Sequence, residues 1–424
     1  MPRLRQRALA IVLTTALAAC ASPPTIVAPT PTSAPVVPPT LTPEAASSPT
    51  PDSLAVRLWV APAFAPDPQS EAGALLLQRV EAFEADHPNI HVEIRLKDER
   101  GPSGLLETLR AGSAVAPAAV PDLITLEASD LAEAARAGLL ATLPPLAAED
   151  ELTVNEFARQ AAVIDGRRYG SPFGSRADVM VYRAEDLGPA PRSWSDLLSS
   201  TPPFVFPAGD PEALTTLAQY LAQGASLTNA SGALQLDPVT LEEVLAFYGS
   251  AHNAGLLPLT VRQYETSLET WGAFHEGRAT TAVSPLHVFL AEGRPNESAA
   301  PLPTRDGVGT CLASTWSWAL VTDDPRRQTA ALELLSWLSD PAFLGGWTQA
   351  LGLLPADGPT LDAWEDGAEK SLAMQLTSVT RASPPMEVRV ALGAAIRNSI
   401  DAVLSGQLTP SAAAQAAVQA LPQP

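Results

Sequence analysis

The residues able to do chemistry in this 424-residue chain are recognition groups rather than a catalytic set. The five histidines, His87, His91, His252, His275 and His287, have no metal-ligand spacing. Two cysteines, Cys20 and Cys311, exclude a multi-disulfide scaffold and a cysteine-rich zinc fold. No G-x-S-x-G elbow, H-E-x-x-H pair or Walker loop occurs, and Gly307-x-Gly309 lacks a third glycine. No catalytic residue, metal or cofactor is therefore expected. The carboxylates are numerous enough to leave a paired-carboxylate hydrolase open, though no pair stands out. What remains is a scatter of aromatic and short polar residues near the ends of strand-like runs. Rings stack on C–H faces, and short polar side chains pair with hydroxyls. Trp59 closes one such run, where core packing is the plain alternative. Glu127, Ser129 and Asp130 follow another, and helix capping accounts for Ser129 or Asp130 without a ligand. Gly209 and Asp210 follow a third and also read as a helix start. Trp271 lies three residues before Phe274, a core-like spacing. Trp316 shares a strand face with Trp318, with Ser314 and Thr315 beside it, and is the strongest aromatic candidate.

The elements that position these residues alternate. Leu54 to Val60 reads as a strand, and Asp67-Pro68 as the start of a helix carrying Leu76, Val80 and Phe83 on one face. Strands are expected at His91 to Leu96, Asp122 to Leu126, Val179 to Tyr182, Phe204 to Phe206, Thr280 to Val283 and Ser317 to Val321. Helices are expected at Leu105 to Ala111, Asp130 to Ala137, Leu241 to His252, Arg326 to Leu338, Arg389 to Leu404 and Ser411 to Leu421. Ser193-Trp194-Ser195-Asp196 has capping-box spacing. Such alternation predicts an α/β fold with mostly parallel sheets flanked by helices, in which ligands bind beyond the carboxyl ends of strands. No internal repeat is visible.

The first 19 residues read as an export signal. Arg3, Arg5 and Arg7 precede the apolar run from Ala8 to Ala19, which is too short to span a bilayer. Leu17-Ala18-Ala19-Cys20 is similar to the lipobox of bacterial lipoproteins, which implies an acylated Cys20 and a membrane anchor without a spanning helix. Residues 20–52 hold ten prolines amid Thr, Ser and Ala, a tether that cannot bury a core and reaches on the order of 100 Å. Formal charge is −20, with 46 acidic against 26 basic residues, the wrong sign for a nucleic-acid partner. Cys311, among small and apolar neighbours, reads as a buried packing residue.

Ten fragments in order across residues 75–421 resemble one family. "VEAFEADHPNIHVEI" is similar to the opening of family 1 extracellular solute-binding proteins, the ligand receptors of ABC importers. Pro121-Asp122-Leu123-Ile124, "LAEAARAGLLATL", Asp165 to Phe173, "VMVYRAEDLG", "APRSWSDLL", "FHEGRATTAV", "DPRRQTAALELLSWLSDP", "GLLPA" and the C-terminal "AVLSGQLTPSAAAQAAVQAL" continue it. Arg183 departs from the family's Asn after the Tyr, at what reads as a surface or cap position.

The resemblance implies a two-lobe, periplasmic-binding-protein-like fold with a ligand cleft between the lobes. By motif, lobe one holds residues 53–173 and 309–357, and lobe two 174–308 and 358–424. Ser171 to Ser175 and Asp306 to Cys311 are hinge candidates. Ser175, Arg176 and Asp178 then follow the first crossing, where Arg176 either clamps a ligand or pairs with Asp178. His287 sits where the family carries an aromatic or polar contact. The implied function is capture of a solute, a mono- or oligosaccharide by family habit, and delivery to an ABC permease by a monomeric receptor anchored outside the cytoplasmic membrane. The same fold binding a polyamine, with Glu127, Asp130, Asp178 and Asp210 as its carboxylates, and a sensory or interaction module are the alternatives.

Overall fold

The computed structural model describes residues 53–146, 152–200, 203–229 and 231–421. The export signal, Cys20 and the proline-rich tether lie outside the described residues. Twelve strands are described: β1 (Leu54–Val60), β2 (Ile90–Leu96), β3 (Leu123–Glu127), β4 (Val163–Ile164), β5 (Arg167–Arg168), β6 (Gly170–Arg183), β7 (Phe204–Val205), β8 (Thr281–Pro285), β9 (Glu297–Ala300), β10 (Cys311–Leu320), β11 (Leu354–Pro355) and β12 (Thr380–Ala382). β4 and β5 make a hairpin apart; the rest form one sheet with the central order β2-β1-β3-β10-β6-β8-β7.

The sheet is mixed, which corrects the expectation of mostly parallel sheets. β1 pairs β2 and β3 in parallel, and β7 pairs β8 in parallel. β10 runs antiparallel to β3 and β6, and β6 antiparallel to β8, β9 and β11. The reason is the length of β6 and β10. Their crossing segments, Ser-Pro-Phe-Gly-Ser and Cys-Leu-Ala-Ser-Thr, are rich in small residues and include a proline and a glycine, which weakens the strand pattern, and so only their distal ends read as strands.

Helices cover the sheet: α1 (Glu71–Asp86), α2 (Leu105–Val115), α3 (Ala128–Arg136), α4 (Glu156–Ala162), α5 (Ala184–Leu187), α6 (Trp194–Leu198), α7 (Leu214–Ala222), α8 (Pro238–Asn253), α9 (Ser267–His275), α10 (Leu286–Glu292), α11 (Pro325–Leu338), α12 (Pro341–Leu351), α13 (Gly358–Asp362), α14 (Ala368–Val379), α15 (Met386–Leu404) and α16 (Pro410–Gln419). The α6 capping box forms as expected, with the Ser193 hydroxyl accepting from the Asp196 amide. α1 starts later than the Asp67-Pro68 reading: Ser70 is its cap, because Asp67 is engaged in the preceding turn, accepting from the Gln69 amide at 2.9 Å.

Two hydrophobic cores flank the middle of the sheet. The first joins α1, α2, α3, α11 and α12 to β1–β3 and the distal half of β10, around Phe64, Phe173, Trp318 and Trp347. The second joins α7, α8, α9, α15 and α16 to β7, β8 and the distal half of β6, around Tyr220, Tyr248 and Phe274. β6 passes from the first core to the second between Phe173 and Ala177, and β10 passes back between Ala313 and Trp316. At this crossing the β6–β10 register slips, with Trp316 opposite Gly174 and Ser317 opposite Pro172. The Ser171–Ser175 segment thus lies within a strand, while Asp306–Gly309 is a turn beside the second core, held by the Asp306 carboxylate accepting from the Val308 amide. Phe157 and Ala158 of α4 pack in the second core. Arg183 is not at the surface. Its guanidinium donates to the carbonyls of Ala279 (3.1 Å) and Phe274 (2.5 Å) and lies 4.3 Å from the Phe274 ring centroid.

Candidate functional site

A cavity of about 350 Å³ opens where the two cores meet. The first core's side contributes the loop after β2 and the junction of β3 and α3. The second core's side contributes the turn after β7, the start of α9 and the junction of β8 and α10. The crossing strands form its floor. This is where parallel strands β1–β3 end, as expected for ligand loops of a doubly wound sheet.

Seven of the twelve candidate contacts line it: Glu127, Asp130, Arg176, Asp178, Asp210, His287 and Trp316. Glu127 is the last residue of β3 and is 8% exposed. Burial holds its carboxyl above the ordinary range, against the pull of Arg389 and Arg100. Burial, then the charge of Glu127, pushes Asp130 up to about 6. On the other side, burial pushes Asp178 up to about 6; the Ser267 hydroxyl donating at 2.9 Å opposes this and the nearby Asp210 adds to it. Asp210 is itself raised by burial, although the amides of Leu214 and Glu212 donate to its two oxygens at 2.8 and 2.9 Å. Those bonds hold the turn that leads into α7, with Ala213 in the left-handed region at φ 51°.

The cleft arginines are already matched. Arg176 donates to both oxygens of Glu99 at 2.6 and 2.7 Å, rather than pairing with Asp178, and this bond holds Glu99 below its ordinary range. Arg389, 2% exposed on α15, donates to Glu212, and Arg100 lies 3.9 Å from the same carboxylate. His287 is lowered by burial, then by Arg176. Its backbone lies so close to Gly352 that a Cβ there would come within 2.6 Å, and Gly352 closes α12 at φ +65°, so both demands require glycine. Trp316 borders the cleft but is only 2% exposed, its ring covered by Phe64 (centroids 5.0 Å apart) and by the Arg176 guanidinium at 5.3 Å.

The other five candidates are placed elsewhere. Trp59 stands on β1 with a strand on each side, paired with Arg95 on one and Ile124 on the other, 4% exposed, with the Lys97 ammonium 5.0 Å from its ring. The hydroxyl of Ser129 accepts from the Met386 amide at 3.1 Å, tying α3 to α15. Ser175 is buried and hydrogen-bonds Thr315 across the crossing strands at 2.9 Å. Gly209 packs its backbone against Arg262 and Tyr264, donating to the Tyr264 carbonyl at 2.9 Å. Trp271 is core, its indole N–H donating to Glu292 at 3.1 Å.

Sequence reasoning missed Glu99, Arg100, Glu212, Glu265, Ser267 and Arg389 in the lining. A signal existed for the first two: the charged run Lys97–Arg100 directly follows a parallel strand. Nothing local marks Arg389, which reads as a helix start. Among the described residues no group of His, Cys, Asp and Glu is arranged to hold a metal, and no helix is long and apolar enough to cross a membrane.

The sequence matches the family model of bacterial extracellular solute-binding proteins over residues 78–360. No curated protein matches it. Among solved structures it is similar to the sugar-binding protein MalE from Xanthomonas citri, with 20% identity, TM-score 0.73, and 87% of this chain and 96% of that one covered. The cyclic alpha-maltosyl-1,6-maltose binding protein from Arthrobacter globiformis aligns at 18% identity and TM-score 0.71, covering 87% and 98%. MalE from Listeria monocytogenes, solved with maltose, aligns at 17% and 0.69, covering 86% and 96%. At these identities the likeness is one of fold. The family and these neighbours are binding proteins.

Proposed function

This chain belongs to the family of bacterial extracellular solute-binding proteins, which act outside the cytoplasm, and from that premise we propose that it captures a sugar in its cleft and delivers it to an ABC importer. The observation that carries the reading is the cleft itself: a polar cavity between two cores joined by crossing strands, in a fold shared over 87% of the chain with a sugar-binding protein. Its carboxylates accept from hydroxyls, and Arg100, Arg176 and His287 supply donors, the mixture that a ring bearing hydroxyls needs. Closure of the lobes on solute is the signal the permease would read, and binding shifts that equilibrium only by its differential affinity for the closed form. Acylation of Cys20 would anchor the receptor, with residues 21–52 as its spacer and the receptor acting as a monomer.

The test is thermal unfolding of the full chain, stripped of carried-over ligand, against sugars, polyamines and peptides. A ligand at ~100 times its dissociation constant adds ~2.7 kcal/mol. A shift confined to sugars supports the reading. A shift with polyamines or peptides alone keeps the receptor and replaces the solute, and no shift with any of them overturns the capture reading.

A further inference from the structure

The cleft has a charge imbalance that its own residues leave unresolved. Its two innermost guanidiniums are engaged, Arg176 by Glu99 and Arg389 by Glu212, with Arg100 also near Glu212. Among the described residues no ion pair reaches Glu127, Asp130, Asp178 or Asp210, all of which line the cavity. The imbalance is uneven. Arg389, from the second core's side, acts on Glu127 and on Asp210, and Arg100, from the first, on Glu127 and Asp130. Asp178 has no cation among its influences: its neighbours are the Ser267 hydroxyl and the carboxylate of Asp210. Glu265 adds a further carboxyl to that wall.

We propose that the solute is a cationic sugar, its ammonium seated at Asp178 beside Asp210; this rests on the sugar-receptor reading above and narrows it. Desolvation sets this preference. A neutral sugar closing over this wall would give its carboxylates hydroxyl donors but no opposing charge, leaving Asp178 and Asp210 to repel each other out of water. An ammonium offers three donors and the opposing charge at once. A wholly cationic chain such as a polyamine fails for a different reason. It has no acceptors for His287 or for the guanidinium N–H groups of Arg176 beyond the two that Glu99 accepts, in the same cavity, and would set ammonium groups against guanidiniums. A sugar ring with one amine satisfies both walls, its hydroxyl oxygens accepting from the donors while its ammonium meets Asp178.

The experiment is calorimetric titration of the full chain with sugars in matched forms differing at one position: hydroxyl, amine and N-acetylated amine. Glucose, galactose and their 1,4-linked disaccharides serve as the set, with spermidine alongside. The amine is expected to bind roughly 10- to 100-fold tighter than its hydroxyl and acetylated counterparts, the value of one charge-assisted hydrogen bond in a shielded site. Asp178→Asn should cut that ratio at least tenfold. Acetylation tests the charge without touching the protein, so the outcome does not depend on the variant's folding. Equal or tighter binding of the neutral forms overturns the cationic assignment and leaves the sugar receptor standing, as does an amine preference that Asp178→Asn does not reduce. Binding of spermidine with no sugar in any form overturns both readings, and so does an absence of binding throughout.

Discussion

Asp178→Asn should make the ligand-free protein more stable at neutral pH, because the native carboxylate is held there against its own preference. Its carboxyl moves from 3.8 to about 6 in the fold. A raised acid binds protons more tightly folded than unfolded, so it lowers stability above pH 6 and is relieved as pH falls from 6 towards 4. At ~1.36 kcal/mol per pKa unit, two units correspond to about 3 kcal/mol, reduced to about 2–3 because the cleft admits some water. Unfolding entropy of ~2.1 cal/mol/K per residue over roughly 370 residues gives ~0.8 kcal/mol/K, so the variant's Tm should rise by about 3 °C at pH 7. Asparagine can still accept from Ser267, so that contact survives. Acidification to pH 5 already relieves the native Asp178 by ~1.3 kcal/mol, so the variant's advantage should shrink to about 2 °C or less there. His287, lowered in the fold, acts in the opposite sense over this range, but it is present in both proteins and cancels in their difference. The assay is scanning calorimetry of both proteins at pH 5, 6 and 7 without ligand. A Tm at pH 7 equal to or below that of the native protein refutes the reasoning, and so does an advantage that grows on acidification.

Three further outcomes follow from the packing. Asp122 is 1% exposed, accepts both Arg327 N–H groups at 2.6 Å and takes the Arg57 amide at 2.8 Å; Asp122→Asn should cost about 3 kcal/mol by denaturant titration, the low end for a broken buried pair, since Arg327 can rehydrate. Gly393 lies where a Cβ would meet the Pro211 carbonyl at 1.9 Å, so Gly393→Ala should cost about 2–3 kcal/mol and weaken ligand binding by displacing the Asp210–Glu212 turn, read by calorimetry and titration together. The Cys311 thiol is buried and pushed up to about 12; it should resist a thiol reagent in the native protein and react promptly in denaturant.

The alternating elements were legible because their signals are local. Leu76, Val80 and Phe83 all proved buried on α1, and the Ser193–Asp196 box capped α6 as its spacing implied. The strand-end rule led to Glu127 and Asp130 because β3 does end at the cleft with Glu127, and Asp130 sits in the first turn of α3 that follows. It failed at Trp59, since β1 lies between β2 and β3 and its end is paired on both sides. It also failed at Ser129, whose hydroxyl is engaged by α15, 257 residues away. The opposing carboxylates and guanidiniums could not be matched from sequence: Arg176 has Asp178 two residues off yet bonds Glu99, 77 residues away. Such choices are made by tertiary distance, which no local pattern encodes.

The repeated crossing between cores has a consequence for how the chain comes to be folded. The first core draws on residues from Val56 to Leu143, on Ile164 and Phe173, and again on residues from Trp316 to Leu353, while the second runs from Phe157 to Leu421. Neither half is a continuous stretch. A nascent chain that has emerged only as far as the end of β9 has all of β1–β3 but lacks the strand that docks beside β3 and two of the helices of that core, α11 and α12. Both halves must therefore wait for the final quarter of the polypeptide, and their closing contacts are of long sequence separation, which slows folding. For a protein of a family that acts outside the cytoplasm, that delay favours a chain that stays unfolded while it is being made.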